Sequence, residues 1–482
     1  MSSLQGKTFN GIVWSAIHRF GTMGITFVSN IVLARLLSPD DFGCIGMLMI
    51  FISLANTFID GGFGSALIQK KTPTNEDYST IFYWNILLSA ILYGVIYLCS
   101  PYIALFYEIP LLASVLKVQA IVLLFNAFSL VQQNILRKQL QFKKLAVVNI
   151  ISSVCSLILA VIAAYYDMGV WSLVIQQLSL SLCNAVLFWI ISKWKPLLKF
   201  SYKSFKELFN FGGFILLSHL FSTLSNEFQG LLVGKMFNPA TMGQYSQAYR
   251  LEGSIATATS SIIDQVTYPV LSALQDDKEQ FIGALKRFIQ IPAFVCSPIM
   301  MLMIVVAEPL ILLLYSAKWL ECVPYFQILC TAGLAVCLQG AANNAIAAIG
   351  KSKVLFNWTI VKRSLTIILC VGGVYIAGMH GLLWACSLGA WSVFIINALL
   401  VSRHVGYSFV KQIMDIFPSM VVSIIVGVVI YYIGEFININ IYIKALGQVL
   451  LGVGLYLLIA YICKLDALKY TQKIVLQKLK NR

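Results

Sequence analysis

Apolar runs long enough to cross a bilayer alternate with short polar breaks along nearly the whole chain. The first occupies residues 11–37, and at about 1.5 Å per residue its 27 residues would extend roughly 40 Å, against a hydrocarbon core of about 30 Å. Further runs occupy 42–68, 78–100, 111–136, 145–166 and 169–192, and a basic connector follows at 193–207. Six more begin near Leu208, Thr241, Ile282, Cys322, Val354 and Gly381, and two last ones, at about 416–435 and 443–463, precede a lysine-rich tail. The pattern predicts an all-α polytopic membrane protein of about 14 transmembrane helices. Helices 1–6 form an N-lobe at 1–192, the cytoplasmic connector spans 193–207, and helices 7–12 form a C-lobe at 208–402. Helices 13 and 14 then fill 403–463, and a basic cytoplasmic tail runs over 464–482, with Lys469, Lys473 and Lys480 on one helical stripe.

The two lobes read as repeats of one another. LeuAlaArgLeuLeuSerProAspAspPheGly at 33–43 aligns with ValGlyLysMetPheAsnProAlaThrMetGly at 233–243, pairing Pro39 with Pro239 and Gly43 with Gly243 at an offset of 200. Farther on, 103–107 matches 311–315, and Lys143 and Asn149 match Lys351 and Asn357, at an offset of 208. Ordered matches with the same span count indicate an internal duplication. Six inside-started spans per half make the repeats parallel, with a substrate site expected between them near the bilayer midplane.

Composition agrees with this reading. Hydrophobic residues are 59% and charged residues 11% of 482, too little polar surface for a soluble globule. The first ten residues carry no charged leader followed by a small-residue cleavage site, so the first span is expected to stay in the mature protein. Eleven cysteines lie singly, without a CxxC pair, and the four histidines share no ligand spacing, so neither a disulfide framework nor a metal site is indicated.

Lys and Arg set the orientation. With the N-terminus inside, 25 of them fall in cytoplasmic segments and five outside, at Arg35, Lys117, Lys235, Lys318 and Lys444. Both termini are therefore expected in the cytoplasm, and the net charge of +15 reads as topology and attraction to anionic lipid, not as a nucleic-acid surface. Labels at the N-terminus, near Lys199 and at the C-terminus should all report cytoplasm; a periplasmic signal at Lys199 would break the two-lobe reading.

The chemistry rests on charges inside spans. The basic ones are Arg19, Arg250, Lys362 and Arg363; the acidic ones are Asp60, Glu227, Glu252 and Asp264. Arg19 lies about two turns into the first run, roughly 12 Å from Gly11, farther than it comfortably snorkels. Arg250 sits at a similar depth, about nine residues into its run, and Arg363 and Lys362 lie deep in the run from Val354. A buried arginine grips anions, which makes these four candidate ligands of an anionic substrate. The four carboxylates are candidate charge partners or ion carriers for a coupling H+ or Na+, as is His219, which lies at the offset-200 position of Arg19. Asp60 precedes GlyGlyPheGly, where a span bends or packs closely and the carboxylate satisfies exposed backbone. Glu252 does not neutralise Arg250, since residues two apart on a helix face differently.

SerProAspAspPheGly at 38–43, PheIleAspGlyGlyPheGlySerAlaLeuIleGln at 58–69 and AsnProAlaThrMetGlyGlnTyrSerGlnAlaTyrArg at 238–250 resemble the polysaccharide-transporter branch of the multidrug/oligosaccharidyl-lipid/polysaccharide exporter superfamily, the Wzx-like oligosaccharide flippases. The resemblance implies two six-helix lobes around a cationic cavity. It also implies translocation of undecaprenyl-diphosphate-linked oligosaccharides across a bacterial inner membrane for O-antigen, capsule or exopolysaccharide synthesis, alongside polysaccharide assembly proteins. Arg19 and Arg250 match the arginines of related flippases by helix and type, Asp60 matches only in kind, and no ion-site signature is complete. Two alternatives stand beside a flippase. A drug or cation exporter on the same scaffold would want a more acidic cavity. A membrane glycan polymerase or ligase would need an external catalytic loop, whereas the longest outward connections, near 101–110 and 308–321, are short and apolar.

Overall fold

The computed structural model describes residues 2–437 and 439–470, with the backbone alone at 2–13, 15, 16, 258–265 and 352. The side chain of Asp264 and the tail stripe beyond Tyr470, including Lys473 and Lys480, therefore lie outside the described residues. All regular elements among the described residues are helical. In order they are α1 (Ser2–Leu36), α2 (Pro39–Asp60), α3 (Phe63–Gln69), α4 (Asn75–Tyr107), α5 (Leu111–Gln119), α6 (Ile121–Lys138), α7 (Phe142–Tyr165) and α8 (Val170–Ser192). They continue as α9 (Tyr202–Met236), α10 (Pro239–Ala273), α11 (Lys278–Val305), α12 (Ala307–Leu314), α13 (Cys322–Ala348), α14 (Ser352–Val405), α15 (Phe409–Phe436) and α16 (Ile441–Ile462).

Eleven of the described stretches are long and apolar enough to cross a membrane, some of them made of two helical pieces, as with α2 and α3 or α5 and α6. α14 is two helices merged across a kink at Ala377 and Gly378, so its 54 residues make two passes. α1 and α10 have the length of spans, 35 residues each, but not the hydropathy. Counting them gives the expected number of about fourteen. The two polar helices are the ones that carry Arg19 and Arg250.

The chain packs as two compact units, 1–243 and 244–482. This boundary lies beyond the 193–207 connector, because α9 packs on α2, α3 and α4 and goes with the first unit. Within that unit α1 lies on α7, α7 on α8, α8 on α6 and α6 on α4. In the second, α13 packs on both α14 and α11, and α15 joins α11 to α16. A core of Leu271, Phe281, Leu285, Leu338, Ala345 and Val401 fills the second unit.

Local sequence explains the helix starts. Ser38 caps α2 in a capping box, its Oγ accepting from the Asp41 amide at 3.3 Å while Asp41 Oδ2 accepts from the Ser38 amide at 2.9 Å, with Pro39 as the first helical residue. Asn238 caps α10 with a single bond, its Oδ1 accepting from the Thr241 amide at 2.8 Å ahead of Pro239. The glycines that follow each proline serve a close approach. A Cβ on Gly43 would lie 1.8 Å from the Pro239 carbonyl oxygen, and one on Gly243 1.9 Å from that of Pro39. Each repeat's glycine thus receives the other repeat's proline, a reciprocal contact of the kind a two-fold relation generates. The span bend expected at 61–64 is present: α2 stops at Gly61 (φ 56°), Gly62 (φ 69°) follows, and α3 begins at Phe63. A Cβ on Gly62 would sit 2.3 Å from the Gly212 carbonyl oxygen of α9. Beyond α3, Lys70 binds Asp77 and Glu207, each at 3.1 Å. Burial works against its ammonium, but these two carboxylates outweigh it and hold the proton more tightly than in an ordinary lysine.

Candidate functional site

Arg19 lies mid-helix in α1, half a helix from either end, and its side chain is exposed to whatever surrounds that face. Its guanidinium has no hydrogen-bond or ion-pair partner among the described residues; only its backbone carbonyl is engaged, accepting from Thr22 Oγ1 at 3.2 Å. The proposed structural pairing of Arg19 with Asp60 or Glu227 is therefore absent. Both carboxylates lie elsewhere in the same unit, and Glu227 is hydrogen-bonded there.

They lie along the seam where α2 meets α9. Ser53 Oγ donates to Glu227 Oε1 at 3.2 Å, Thr57 and Thr223 hydroxyls meet at 3.1 Å, and Asp60 interacts electrostatically with His219 and Arg137. Positions 53, 57 and 60 on one helix meet 227, 223 and 219 on the other, the spacing that puts side chains on one face of each. Asn56 extends the polar face to α6, its Oδ1 accepting from Asn126 Nδ2 at 2.9 Å. Three of the sequence-selected residues, Asp60, His219 and Glu227, are thus brought into one ladder. Ser53, Thr57, Thr223 and Arg137 were not foreseen. Serines and threonines on helices give no sequence signal of what they face, and Arg137 reads as a loop base at the end of α6.

In the second unit Arg250 and Glu252 part company as expected. Arg250 is exposed, whereas Glu252 is 7% exposed, its carboxylate resting on Gly333 of α13. Lys362 and Arg363 part in the same way. Arg363 is half-exposed and has no partner among the described residues, but Lys362, expected beside it as a diphosphate ligand, is 6% exposed and donates to Asn397 Oδ1 at 2.8 Å. Successive residues on a helix differ by about 100°, so one of two adjacent bases faces the core. Lys362 therefore serves packing between the two passes of α14. Lys362→Ala should lower protein abundance, since Asn397, whose Nδ2 already lacks a partner, would lose its remaining side-chain bond at about 1–3 kcal/mol. Arg363→Ala should leave abundance unchanged, and quantitative blotting of membranes checks both.

Residues 32–324 match the family described as polysaccharide biosynthesis protein. The chain belongs to that family. The chain is 24% identical over 433 residues to the teichuronic acid biosynthesis protein TuaB of Bacillus subtilis, covering 89% of this chain and 90% of that one. It is 22% identical over 410 residues to the succinoglycan biosynthesis transport protein ExoT of Rhizobium meliloti, covering 85% and 81%. Among solved structures, the lipid II flippase MurJ in an inward closed conformation superposes with a TM-score of 0.75 at 17% identity, covering 95% of this chain and all of that one. That likeness shows the fold, a polytopic bundle of helices. In this family member the motifs at 38–43 and 238–243 are thus structural, made of caps and a close helix contact, while Arg19 and Arg250 are exposed bases in the middle parts of the two polar helices.

Proposed function

We propose that this member of the polysaccharide biosynthesis family is a flippase, not an enzyme, that carries undecaprenyl-diphosphate-linked oligosaccharides across the bacterial inner membrane for surface polysaccharide assembly. Both its termini lie in the cytoplasm, and its partners are the lipid-linked substrate, the surrounding lipids and polysaccharide assembly proteins. Arg19 carries the reading. A guanidinium keeps its charge at any physiological pH, and one placed mid-helix in a span without a protein partner is a charge left for an external anion. A diphosphate suits it, because two parallel N–H donors meet two phosphate oxygens in one plane. Arg363 is a further ligand of the same kind, and Arg250, exposed on α10, is a third base for the same anion. The sugar end follows from the relatives, whose names place one in teichuronic acid synthesis and another in succinoglycan transport.

The carboxylates support an anionic over a cationic substrate. Glu227 is hydrogen-bonded along the α2–α9 seam and Glu252 is buried, whereas a cation exporter would hold such carboxylates open to its substrate. Reconstituted in liposomes, the protein should move a labelled lipid-linked oligosaccharide and leave a cationic dye where it was. Movement of the dye without the lipid would make it a cation exporter.

A further inference from the structure

Cysteines that stand singly along the chain meet in pairs across its helix contacts. Cys155 of α7 lies within hydrogen-bonding reach of Cys183 of α8, and Cys296 of α11 of Cys337 of α13. A third pair lies inside one element. Cys370 Sγ and Cys386 Sγ are 3.6 Å apart, one on each pass of α14, and both are free thiols. Cys370 is fully buried and Cys386 is 6% exposed.

The seam around this third pair is close because small residues line both passes. A Cβ on Gly373 would lie 2.4 Å from the Gly381 carbonyl oxygen and 2.7 Å from Ala385 Cβ, and one on Gly381 would lie 2.0 Å from the Gly373 carbonyl oxygen. Farther from the kink, a Cβ on Gly389 would lie 3.0 Å from Thr366 Cγ2. The two sulfurs sit between these contacts, so the backbone is held together on either side of them. Disulfide sulfurs are about 2.05 Å apart, so closing this pair needs an approach of about 1.5 Å, the scale of a side-chain rotation and not of a helix shift.

We propose that Cys370 and Cys386 are an oxidation site, a dithiol that hydrogen peroxide converts to a disulfide joining the two passes of α14. One sulfur attacks the O–O bond and keeps one oxygen as a sulfenic acid, while the other oxygen leaves as water. The partner sulfur then attacks the sulfenic sulfur; the S–S bond forms, and the displaced hydroxide leaves with the partner's proton as a second water. Each sulfur gives up one electron and the peroxide takes up two. Burial decides which reagents reach the pair. Hydrogen peroxide is small and neutral, whereas glutathione is bulky and charged, so the bond once made is sheltered from reduction. Contact with the second thiol also directs the sulfenic acid to the disulfide, ahead of further oxidation.

Trypsin gives a direct readout, because residues 364–403 form one peptide, ending at Arg403, with no internal Lys or Arg and with Cys370 and Cys386 as its only cysteines. Full-length protein in lipid nanodiscs is reduced, freed of reductant and exposed to hydrogen peroxide until the exposed Cys99 and Cys463 are oxidised. It is then denatured, capped with N-ethylmaleimide and digested. The wild-type peptide should carry no maleimide and weigh two hydrogens less than its reduced form. In Cys386→Ser, Cys370 should keep its capacity for maleimide through an exposure several-fold longer. A wild-type peptide that still takes two maleimides, or one whose sulfurs have gained oxygen without an S–S bond, overturns the site. Loss of the Cys370 thiol in Cys386→Ser as fast as in wild type overturns the pairing.

Discussion

Arg19→Ala is expected to abolish polysaccharide export while leaving the protein at wild-type abundance in the membrane. The separation of the two effects follows from the geometry: the guanidinium holds no other described side chain, so its removal orphans no buried group and opens no core cavity. What it removes is a permanent positive charge with two parallel donors. Arg19→Lys should restore only part of the export, because an ammonium keeps the charge and loses the planar fork. Arg250→Ala should likewise reduce export. Complementation of an export-deficient strain, read beside membrane levels of each variant, checks the series. A fall in abundance matching the fall in export would instead make Arg19 a structural residue.

Gly43→Ala should have the largest effect on the fold itself. The added methyl group would meet the Pro239 carbonyl oxygen at 1.8 Å, and that oxygen belongs to a helix backbone that cannot turn aside like a side-chain tip. The helices must separate, which overpacking data put at about 1–3 kcal/mol or more. Gly243→Ala meets the carbonyl of Pro39 at 1.9 Å and should be destabilising to a similar degree. Both purified variants should unfold several degrees below wild type in a thermal melt, and their membrane levels should fall. Wild-type melting of either one would mean that the reciprocal contact contributes nothing.

Much of this architecture could be read from the sequence, for a physical reason. A bilayer demands about twenty apolar residues per pass, so the spans announce themselves, and proline after Ser38 or Asn238 marks where α2 and α10 begin. The repeat was visible in Pro39, Gly43, Pro239 and Gly243 as matched letters, but not that each glycine packs on the other repeat's proline. The run at 61–64 promised a bend and delivered one. Side-chain direction was the weak point. Lys362 and Arg363 are neighbours of like charge in one apolar run, and only the phase of α14 against its second pass decides that Lys362 turns inward to Asn397. The α2–α9 ladder was hidden because it pairs residues 166 and 174 positions apart, through hydroxyls common in any membrane helix. The division of the units after Gly243 was hidden too, since it depends on which neighbours α9 finds, while the connector's lysines report only which side of the membrane it lies on.

The most direct test of the central claim is the rate at which purified protein moves a diphosphate-linked oligosaccharide between the leaflets of a liposome, measured for wild type, Arg19→Lys and Arg19→Ala at equal reconstituted amounts. The account predicts rapid movement by wild type, an intermediate rate for Arg19→Lys, and a rate for Arg19→Ala no greater than that of protein-free liposomes. Movement by Arg19→Ala at the wild-type rate would contradict it.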